Sequence, residues 1–210
     1  MATLLHVQAS PMKHLSFSLR TAEAFLDSYR ASHPGDAVKT VDLFEAGLPE
    51  FGALEAGAKY KILHGQPATA EETKAWKRIE KTLARFKAAD KYVLSAPLWN
   101  FGIPYRLKQY IDVIVQPTLT FSFSPAEGYK GLVTGKPVLM ILARGGAYGP
   151  GTGAEAYDLQ KPYLEMILRF IGFTEIDTIL VEPTLQGGPE AAAAKLAAAM
   201  ALAREKARTF

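Results

Sequence analysis

Three loops of this 210-residue chain combine residue types that could bind a ligand, and the first of them is rich in hydroxyl groups. This first loop, residues 10–18, contains Ser10, Ser16 and Ser18 and leads into a helical pattern. Unpaired backbone N–H groups and the helix dipole favour an anion at such a position, so the first loop could hold a phosphate group. Ser16 and Ser18 could instead only cap the helix, and the first loop considered alone favours that simpler role.

The second loop, residues 97–104, places two aromatic residues, an amide and a turn-forming glycine directly after an apolar run. Trp99, Asn100 and Phe101 form its centre. Side chains of these types can line a flat ring. Trp99 and Phe101 could also be ordinary core aromatics, and each role is about equally expected for a single residue.

The third loop, residues 144–153, begins with the arginine of an Arg-Gly-Gly motif. Gly145 and Gly146 have no Cβ atom, so the backbone could approach a ligand closely there. An ordinary turn is the alternative. Three such loops at one edge of a sheet favour a binding site for a planar polar heterocycle that carries a single phosphate.

The elements that position these loops alternate between strand and helix. Apolar runs predict strands at residues 4–9, 38–44, 92–96, 138–143 and 176–181. Helical spacing predicts helices at about 16–31, 70–89, 104–116, 155–171 and 189–207. This alternation predicts a mostly parallel sheet with helices on both faces. The three loops follow the first, third and fourth strands, and ligands of such sheets bind beyond the carboxyl ends of the strands.

Composition and motifs exclude several other classes of protein. The chain has no cysteine, so it forms no disulfide. Its 24 Lys and Arg against 21 Asp and Glu give a net charge of +3 without a basic run, so we expect no nucleic-acid partner. Neither the dinucleotide-binding Gly-x-Gly-x-x-Gly motif after the first strand nor a P-loop is present. No metal site is predicted, because the four histidines lack ligand spacing: His6, His14, His33 and His64.

The remaining features concern location and organisation. The start lacks a basic region followed by a long apolar one, and no apolar run could span a bilayer, so we expect a cytoplasmic protein with no membrane partner. Without a linker, residues 1–210 are expected to form a single domain. Residues 46–69 and 117–136 are rich in turn formers and are expected to be surface excursions. Arg106 and Lys108 are expected on a solvated helix face.

The loop motifs resemble those of a known family, the FMN-dependent NADH azoreductases, also described as NADH:quinone oxidoreductases. The matching residues are Ser10, Ser16-Phe17-Ser18, Pro97-Leu98-Trp99-Asn100-Phe101-Gly102-Ile103-Pro104, Leu107-Lys108, Ile111-Asp112, Thr120-Phe121-Ser122-Phe123, Gly131-Leu132-Val133-Thr134-Gly135-Lys136, Arg144-Gly145-Gly146, Pro162-Tyr163-Leu164 and Phe170-Ile171-Gly172-Phe173. The resemblance runs from the first strand to the last helix. It implies a flavodoxin-like three-layer α/β fold, with a five-stranded parallel sheet of order 2-1-3-4-5 and helices on both faces.

The resemblance also implies a site. The residues expected to bind the phosphate are Ser10, Ser16, Phe17 and Ser18. The residues expected to bind the flavin ring are Pro97, Leu98, Trp99, Asn100, Phe101, Ala143, Arg144, Gly145 and Gly146. The substrate pocket is expected to include Phe123, Tyr148 and Phe170. The family forms homodimers with two FMN sites at the interface, and aromatic residues of the partner cover the flavin. The chain departs from common family residues at Leu98, Trp99, Ala143 and Phe123, which affects substrate range.

The implied function is an FMN-dependent NAD(P)H oxidoreductase that reduces quinones, azo compounds or nitroaromatics by ping-pong hydride transfer through flavin N5. Asn100 is expected to bond the pyrimidine edge and the Phe101 amide to contact N5, while the N–H groups of Gly145 and Gly146 stabilise charge on the reduced ring. Arg144 could pair with a carboxylate or recognise a substrate. The sequence leaves open the acceptor and the choice between NADH and NADPH.

The alternative is a flavodoxin-like electron carrier, or a flavin-regulated interaction protein, without small-molecule turnover. Dedicated carriers of this fold are typically acidic, because a negative surface steers them to redox partners. The net charge of +3 and the sequence pI of about 9.0 argue against that role.

Overall fold

The structure is a computed structural model that describes residues 1–210. Seven strands and six α-helices follow one another along the chain. They are β1 (Thr3–Gln8), α1 (Phe17–Ser32), β2 (Ala37–Asp42), α2 (Ala53–Leu63), α3 (Ala70–Lys87), β3 (Lys91–Pro97), α4 (Tyr105–Ile114), β4 (Phe121–Ser124), β5 (Gly128–Gly131), β6 (Val138–Ala143), α5 (Lys161–Ile171), β7 (Ile176–Val181) and α6 (Gly188–Ala207).

Five of the strands form one parallel sheet in the order β2-β1-β3-β6-β7. Counted within this sheet alone, the order is 2-1-3-4-5, so the predicted flavodoxin-like fold is confirmed. All six residues of β6 are buried, as its unbroken apolar sequence predicts for an interior strand. The order reverses between β1 and β3, and the crevice at such a reversal opens at the carboxyl ends of the strands.

Alternate residues of the central strands face two separate cores. Leu4 and Val93 pack under α1 and α6, in a cluster that includes the fully buried ring of Phe25. Leu5 and Leu94 point to the opposite face, which α3, α4 and α5 cover. Each fully buried side chain of this size contributes about 2 kcal/mol of transfer free energy, so both helix layers are held mainly by apolar burial.

The predicted helix at 155–171 is wrong in its start, because α5 begins only at Lys161. The Asp158 carboxylate accepts the backbone N–H groups of Gln160 and Lys161 at 3.1 and 3.0 Å, and this cap fixes the first turn. Pro162 follows in that turn, where its missing N–H costs nothing. The residues upstream form a separate 3-10 turn at Glu155–Tyr157.

Both expected surface excursions contain regular structure. Residues 46–69 include α2, and residues 117–136 include an antiparallel hairpin of β4 and β5. The hairpin packs on the end of α5, where Val133 N–H donates to the Ile171 carbonyl at 2.8 Å. A Cβ atom on Gly131 would overlap the backbone of Gly172, so glycine is required at this crossing.

The prediction that Arg106 and Lys108 lie on a solvated face of α4 is correct for Lys108 and wrong for Arg106. Lys108 is half exposed and pairs with Asp112 at 2.6 Å. Arg106 is partly buried, and its guanidinium donates to the carbonyls of Leu43 and Ala46 at 2.7 and 2.8 Å. Those carbonyls lie in the loop after β2, and their hydrogen bonds to the guanidinium hold the arginine against this loop.

Two general observations bear on function. No helix is both long enough and apolar enough to cross a lipid bilayer. No group of three or more His, Asp or Glu side chains is arranged to hold a metal ion.

Candidate active site

The first loop buries three hydroxyl groups at the start of α1. Ser10, Ser16 and Ser18 are all more than nine-tenths buried, and the oxygens of Ser16 and Ser18 lie 3.1 Å apart. Ser16 also caps α1, but its oxygen accepts the Leu19 N–H at a long 3.4 Å. The N–H groups of Phe17 and Ser18 donate to no acceptor in the chain. Hydroxyls and free N–H donors at a helix start form an arrangement that suits a phosphate.

Lys13 lies in the first loop but does not offer a free charge to that site. Its ammonium group pairs at 2.6 Å with Asp42, the last residue of β2, and also with Glu45 just after that strand. The hydrogen bond to Asp42, followed by the one to Glu45, raises the pKa of Lys13 above its usual value. The ion pairs tie the first loop to the neighbouring strand end, so an anion there would rely on hydroxyl and N–H donors.

The second loop is a tight turn in which two residues adopt the left-handed conformation. Asn100 has φ of 47° and Phe101 has φ of 67°. Trp99 and Gly102 exchange two backbone hydrogen bonds, of 3.0 and 2.9 Å, across them. This is the geometry of a type I′ turn, in which asparagine is favoured at the first central position. The N–H groups of Asn100 and Phe101 find no acceptor in the chain.

Aromatic rings surround this turn. The half-exposed Phe101 ring lies 5.0 Å from Tyr157 and 6.4 Å from Tyr148 of the third loop. Trp99 packs edge-on against Phe44 at 5.8 Å. An open cleft of about 730 Å³ adjoins Trp99 and Asn100, with Phe51 and four residues of α4 among its lining.

The third loop is held by backbone hydrogen bonds to the segment after β7. Arg144 donates its N–H to Val181 at 3.0 Å, and its carbonyl accepts the Thr184 N–H at 2.9 Å. The Gly145 carbonyl accepts the Leu185 N–H at 3.0 Å. A Cβ atom on Gly145 would lie 2.7 Å from the Leu185 side chain. The N–H groups of Gly145 and Gly146 have no acceptor in the chain, so the loop leaves two donors free.

The side chain of Arg144 is enclosed, with 1% of its surface exposed. Its guanidinium lies 2.9 Å from Asp158 and 3.3 Å from Glu182. Its Nε donates to the Gln160 amide oxygen at 3.3 Å. Of the two roles that the sequence leaves open for Arg144, the structure shows carboxylate pairing, and the guanidinium therefore holds the loop in place.

The three expected pocket aromatics lie in two separate places. Tyr148 joins Phe101 beside the second loop. Phe123 is 60% exposed on β4, and the ring of Phe170 on α5 lies 5.5 Å from the tilted ring of Tyr129. Neither Phe123 nor Phe170 makes a ring contact with Phe101 or Tyr148 of the same chain.

The chain is similar to known proteins along its whole length. A family model described as a flavodoxin-like fold matches residues 2–207. The FMN-dependent NADH:quinone oxidoreductase of Nitratidesulfovibrio vulgaris (strain DP4) is 51% identical over 210 residues and covers 100% of both chains. The protein of the same name in Desulfotalea psychrophila is 49% identical over 88% of this chain and 87% of its own length.

Solved structures agree with these relatives. The azoreductase from Bacillus anthracis str. Sterne superposes with a TM-score of 0.91 at 34% identity and covers 100% of both chains. The FMN-dependent NADH-azoreductase from Bacillus anthracis str. Ames Ancestor, solved in complex with FMN, gives 0.88 at 28% identity over 99% of this chain and 98% of that one. This chain belongs to the flavodoxin-like family of FMN-dependent NADH:quinone oxidoreductases and azoreductases. The resemblance that the sequence motifs carry is thereby confirmed.

The three loops fit the cofactor for which this family is named. Backbone N–H groups without an acceptor in the chain lie on all three loops, among them those of Phe17, Ser18, Asn100, Phe101, Gly145 and Gly146. Free donors on loops at one edge of a sheet suit a ligand that supplies the acceptors. Phosphate oxygens and the carbonyl and nitrogen acceptors of a flavin ring meet that need.

Sequence reasoning missed several residues that shape the site. Asp158 and Gln160 hold the second and third loops, and Glu182 completes the surroundings of Arg144. One signal was available, because Asp158 lies four residues before Pro162, a typical helix-start pattern. Glu182 follows the fifth strand of the sheet, at the same edge as the three loops.

Proposed function

We propose that this chain reduces quinones and azo compounds, with nitroaromatics as further acceptors, in a ping-pong cycle with NADH or NADPH. The chain is an FMN-dependent oxidoreductase of its family, whose relatives are named as NADH-dependent enzymes. The observation that carries the proposal is that all three loops at one edge of the sheet present free backbone N–H donors. A metal-dependent or acid–base reaction would need titratable side chains there, whereas these loops offer mainly N–H groups and hydroxyls.

The first loop would hold the phosphate of FMN. Ser10, Ser16 and Ser18 supply hydroxyl donors, and the N–H groups of Phe17 and Ser18 add two more at the positive end of α1. Because Lys13 is paired with two carboxylates, the helix start and the hydroxyls carry the recognition of the phosphate charge.

The second and third loops would hold the ring. FMN held there would supply two-electron hydride chemistry between a nicotinamide and an acceptor. We assign the Phe101 N–H to N5 and the Asn100 side chain to the pyrimidine edge, with residues 97–99 beside the ring. The N–H groups of Gly145 and Gly146, next to Ala143 and Arg144, would stabilise negative charge that develops on the pyrimidine part.

Flat acceptors would lie against the exposed side of the ring. Phe101 and Tyr148 provide aromatic surfaces on one chain, and the larger ring of Trp99 forms a wall of the adjoining cleft. Phe123 and Phe170 lie elsewhere on their own chain, so we assign them to cover the partner's site in a homodimer. Stacked aromatic surfaces exclude water and accept any flat molecule, which fits both quinones and azo compounds.

The test is steady-state kinetics of the FMN-loaded protein with NADH or NADPH against 1,4-benzoquinone and an azo dye. Parallel lines in double-reciprocal plots are expected, since the oxidised nicotinamide must leave before the acceptor binds. Converging lines would contradict the ping-pong cycle. If nicotinamide absorbance stays constant while FMN is bound, the electron-carrier alternative is favoured.

A further inference from the structure

Residues 158–160, between the 3-10 turn and α5, contact the second loop at its start and at its central turn. The Leu159 N–H donates to the Phe101 carbonyl at 2.9 Å. The Gln160 side-chain amide donates to the Pro97 carbonyl at 2.7 Å, and no surface of Gln160 is exposed. Two hydrogen bonds from residues 158–160 therefore fix the second loop, one at Pro97, where β3 ends, and one at Phe101, beside the proposed ring site.

The same residues also hold the third loop through Arg144. The Gln160 amide oxygen accepts from Arg144 Nε at 3.3 Å, so one side chain joins both loops. The Asp158 carboxylate lies 2.9 Å from the other end of the guanidinium. Hydrogen bonds that involve a buried charge are strong, and removal of one partner leaves the other without compensation.

We propose that Asp158 and Gln160 are positioning residues that set the separation of the second and third loops, and so the affinity and orientation of the flavin ring. A stacked ring tolerates little change in that gap, since dispersion contacts weaken steeply with distance. The direct backbone hydrogen bond between the loops lies at their base, where Leu98 N–H donates to the Ala143 carbonyl at 2.8 Å. This inference rests on the proposed function.

Asp158 also caps α5, so its two roles must be separated. Its Oδ1 accepts the N–H groups of Gln160 and Lys161, whereas its Oδ2 faces Arg144. Asp158→Asn keeps a cap oxygen and removes the charge that pairs with Arg144. Gln160→Leu keeps most of the volume and removes both side-chain hydrogen bonds.

The experiment compares these two variants with the parent and with Lys161→Ala. Lys161 starts the same helix, but its side chain pairs only with Glu165 on the surface, which makes it a matched control. For each protein, FMN is titrated with flavin fluorescence as the readout, the visible absorption bands of bound FMN are recorded, and the melting temperature is measured without FMN. We expect Gln160→Leu and Asp158→Asn to raise the Kd at least tenfold and to shift the bands. Lys161→Ala is expected to stay within twofold.

The outcomes separate the inference from a purely structural role. A variant that melts earlier but binds FMN with the parent's Kd and unshifted bands would overturn the positioning role. If Gln160→Leu does not fold, Asp158→Asn decides the matter, because its helix cap is intact. If the parent itself does not bind FMN, the proposed function fails, whereas equal binding by parent and variants refutes only the positioning role.

Discussion

Asn100 combines a left-handed backbone with a side chain that has no hydrogen-bond partner within the chain. Two roles are therefore mixed in one residue: it shapes the second loop, and it would bond the flavin. Asn100→Ala changes both, because alanine costs about 1 kcal/mol in this conformation. Asn100→Gly removes the amide but keeps the conformation.

We expect both Asn100 variants to bind FMN more weakly by a similar factor, about tenfold, since each loses one hydrogen bond to the ring. Only Asn100→Ala should also lower the free energy of unfolding. Urea unfolding and flavin fluorescence titration measure the two effects separately. Parent-like affinity in Asn100→Gly would mean that the asparagine serves the turn alone.

His6 makes the molecule sensitive to acid. Its ring is fully buried in β1, with Nε2 at 2.8 Å from the Ser95 hydroxyl and Nδ1 without a partner. Burial, with a smaller effect of Arg30, lowers the pKa of His6 from 6.5 to about 4. The folded state therefore holds His6 neutral, and its stabilising effect is complete only above the unfolded pKa.

As pH falls from about 6.5 to 4, His6 becomes protonated in the unfolded chain but stays neutral in the folded chain. The free energy of unfolding should fall by up to about 1.4 kcal/mol per pH unit in this window. Urea unfolding at several pH values tests this, with His6→Gln as the comparison. The variant should show a flatter dependence, and an unchanged slope would contradict the role of His6.

At the scale of elements, the crossing of the β4–β5 hairpin over the end of α5 tolerates no side chain at Gly131. A Cβ atom there would meet the backbone of Gly172, which cannot move aside as a side chain can. We expect Gly131→Ala to lower the free energy of unfolding by about 3 kcal/mol, at the upper end for overpacking. Gly47→Ala is the control, because nothing lies within 4 Å of its Cβ position. Equal denaturant midpoints for the two variants would refute the close crossing.

The elements differ in how far the sequence predicts them. The five sheet strands and four of the five expected helices follow from apolar periodicity, because each buries a continuous face. The hairpin strands β4 and β5 are four residues each and contain no buried residue, so no such pattern marks them. The start of α5 depends on Asp158 as a cap, which apolar periodicity does not show.

The sequence likewise predicts one part of the candidate site and not another. Its three loops follow from strand order, because they end neighbouring strands of one sheet. Their support does not follow, since Gln160 is 63 residues from Pro97 and Glu182 is 38 residues from Arg144. Only the folded chain brings such pairs together, so Gln160 and Glu182 carried no sequence signal for the site.

For the whole molecule, we expect a dimer in solution. Phe123 and Tyr129 are 60% and 66% exposed on the hairpin, beside Phe170 of α5, and a second copy would cover this aromatic cluster. Sedimentation equilibrium should give twice the chain mass of 22.9 kDa. Phe123→Ala should lower kcat/KM for quinones while FMN remains bound. A monomer at micromolar concentration would contradict the shared site.

The most direct test of the account is titration of the flavin-free protein with FMN and, separately, with riboflavin. The three loops predict one FMN per chain at low micromolar flavin or below. Because the buried serines and free N–H groups of the first loop are assigned to the phosphate, riboflavin should bind at least tenfold more weakly. No binding of FMN, or equal affinity for the two flavins, would contradict the account.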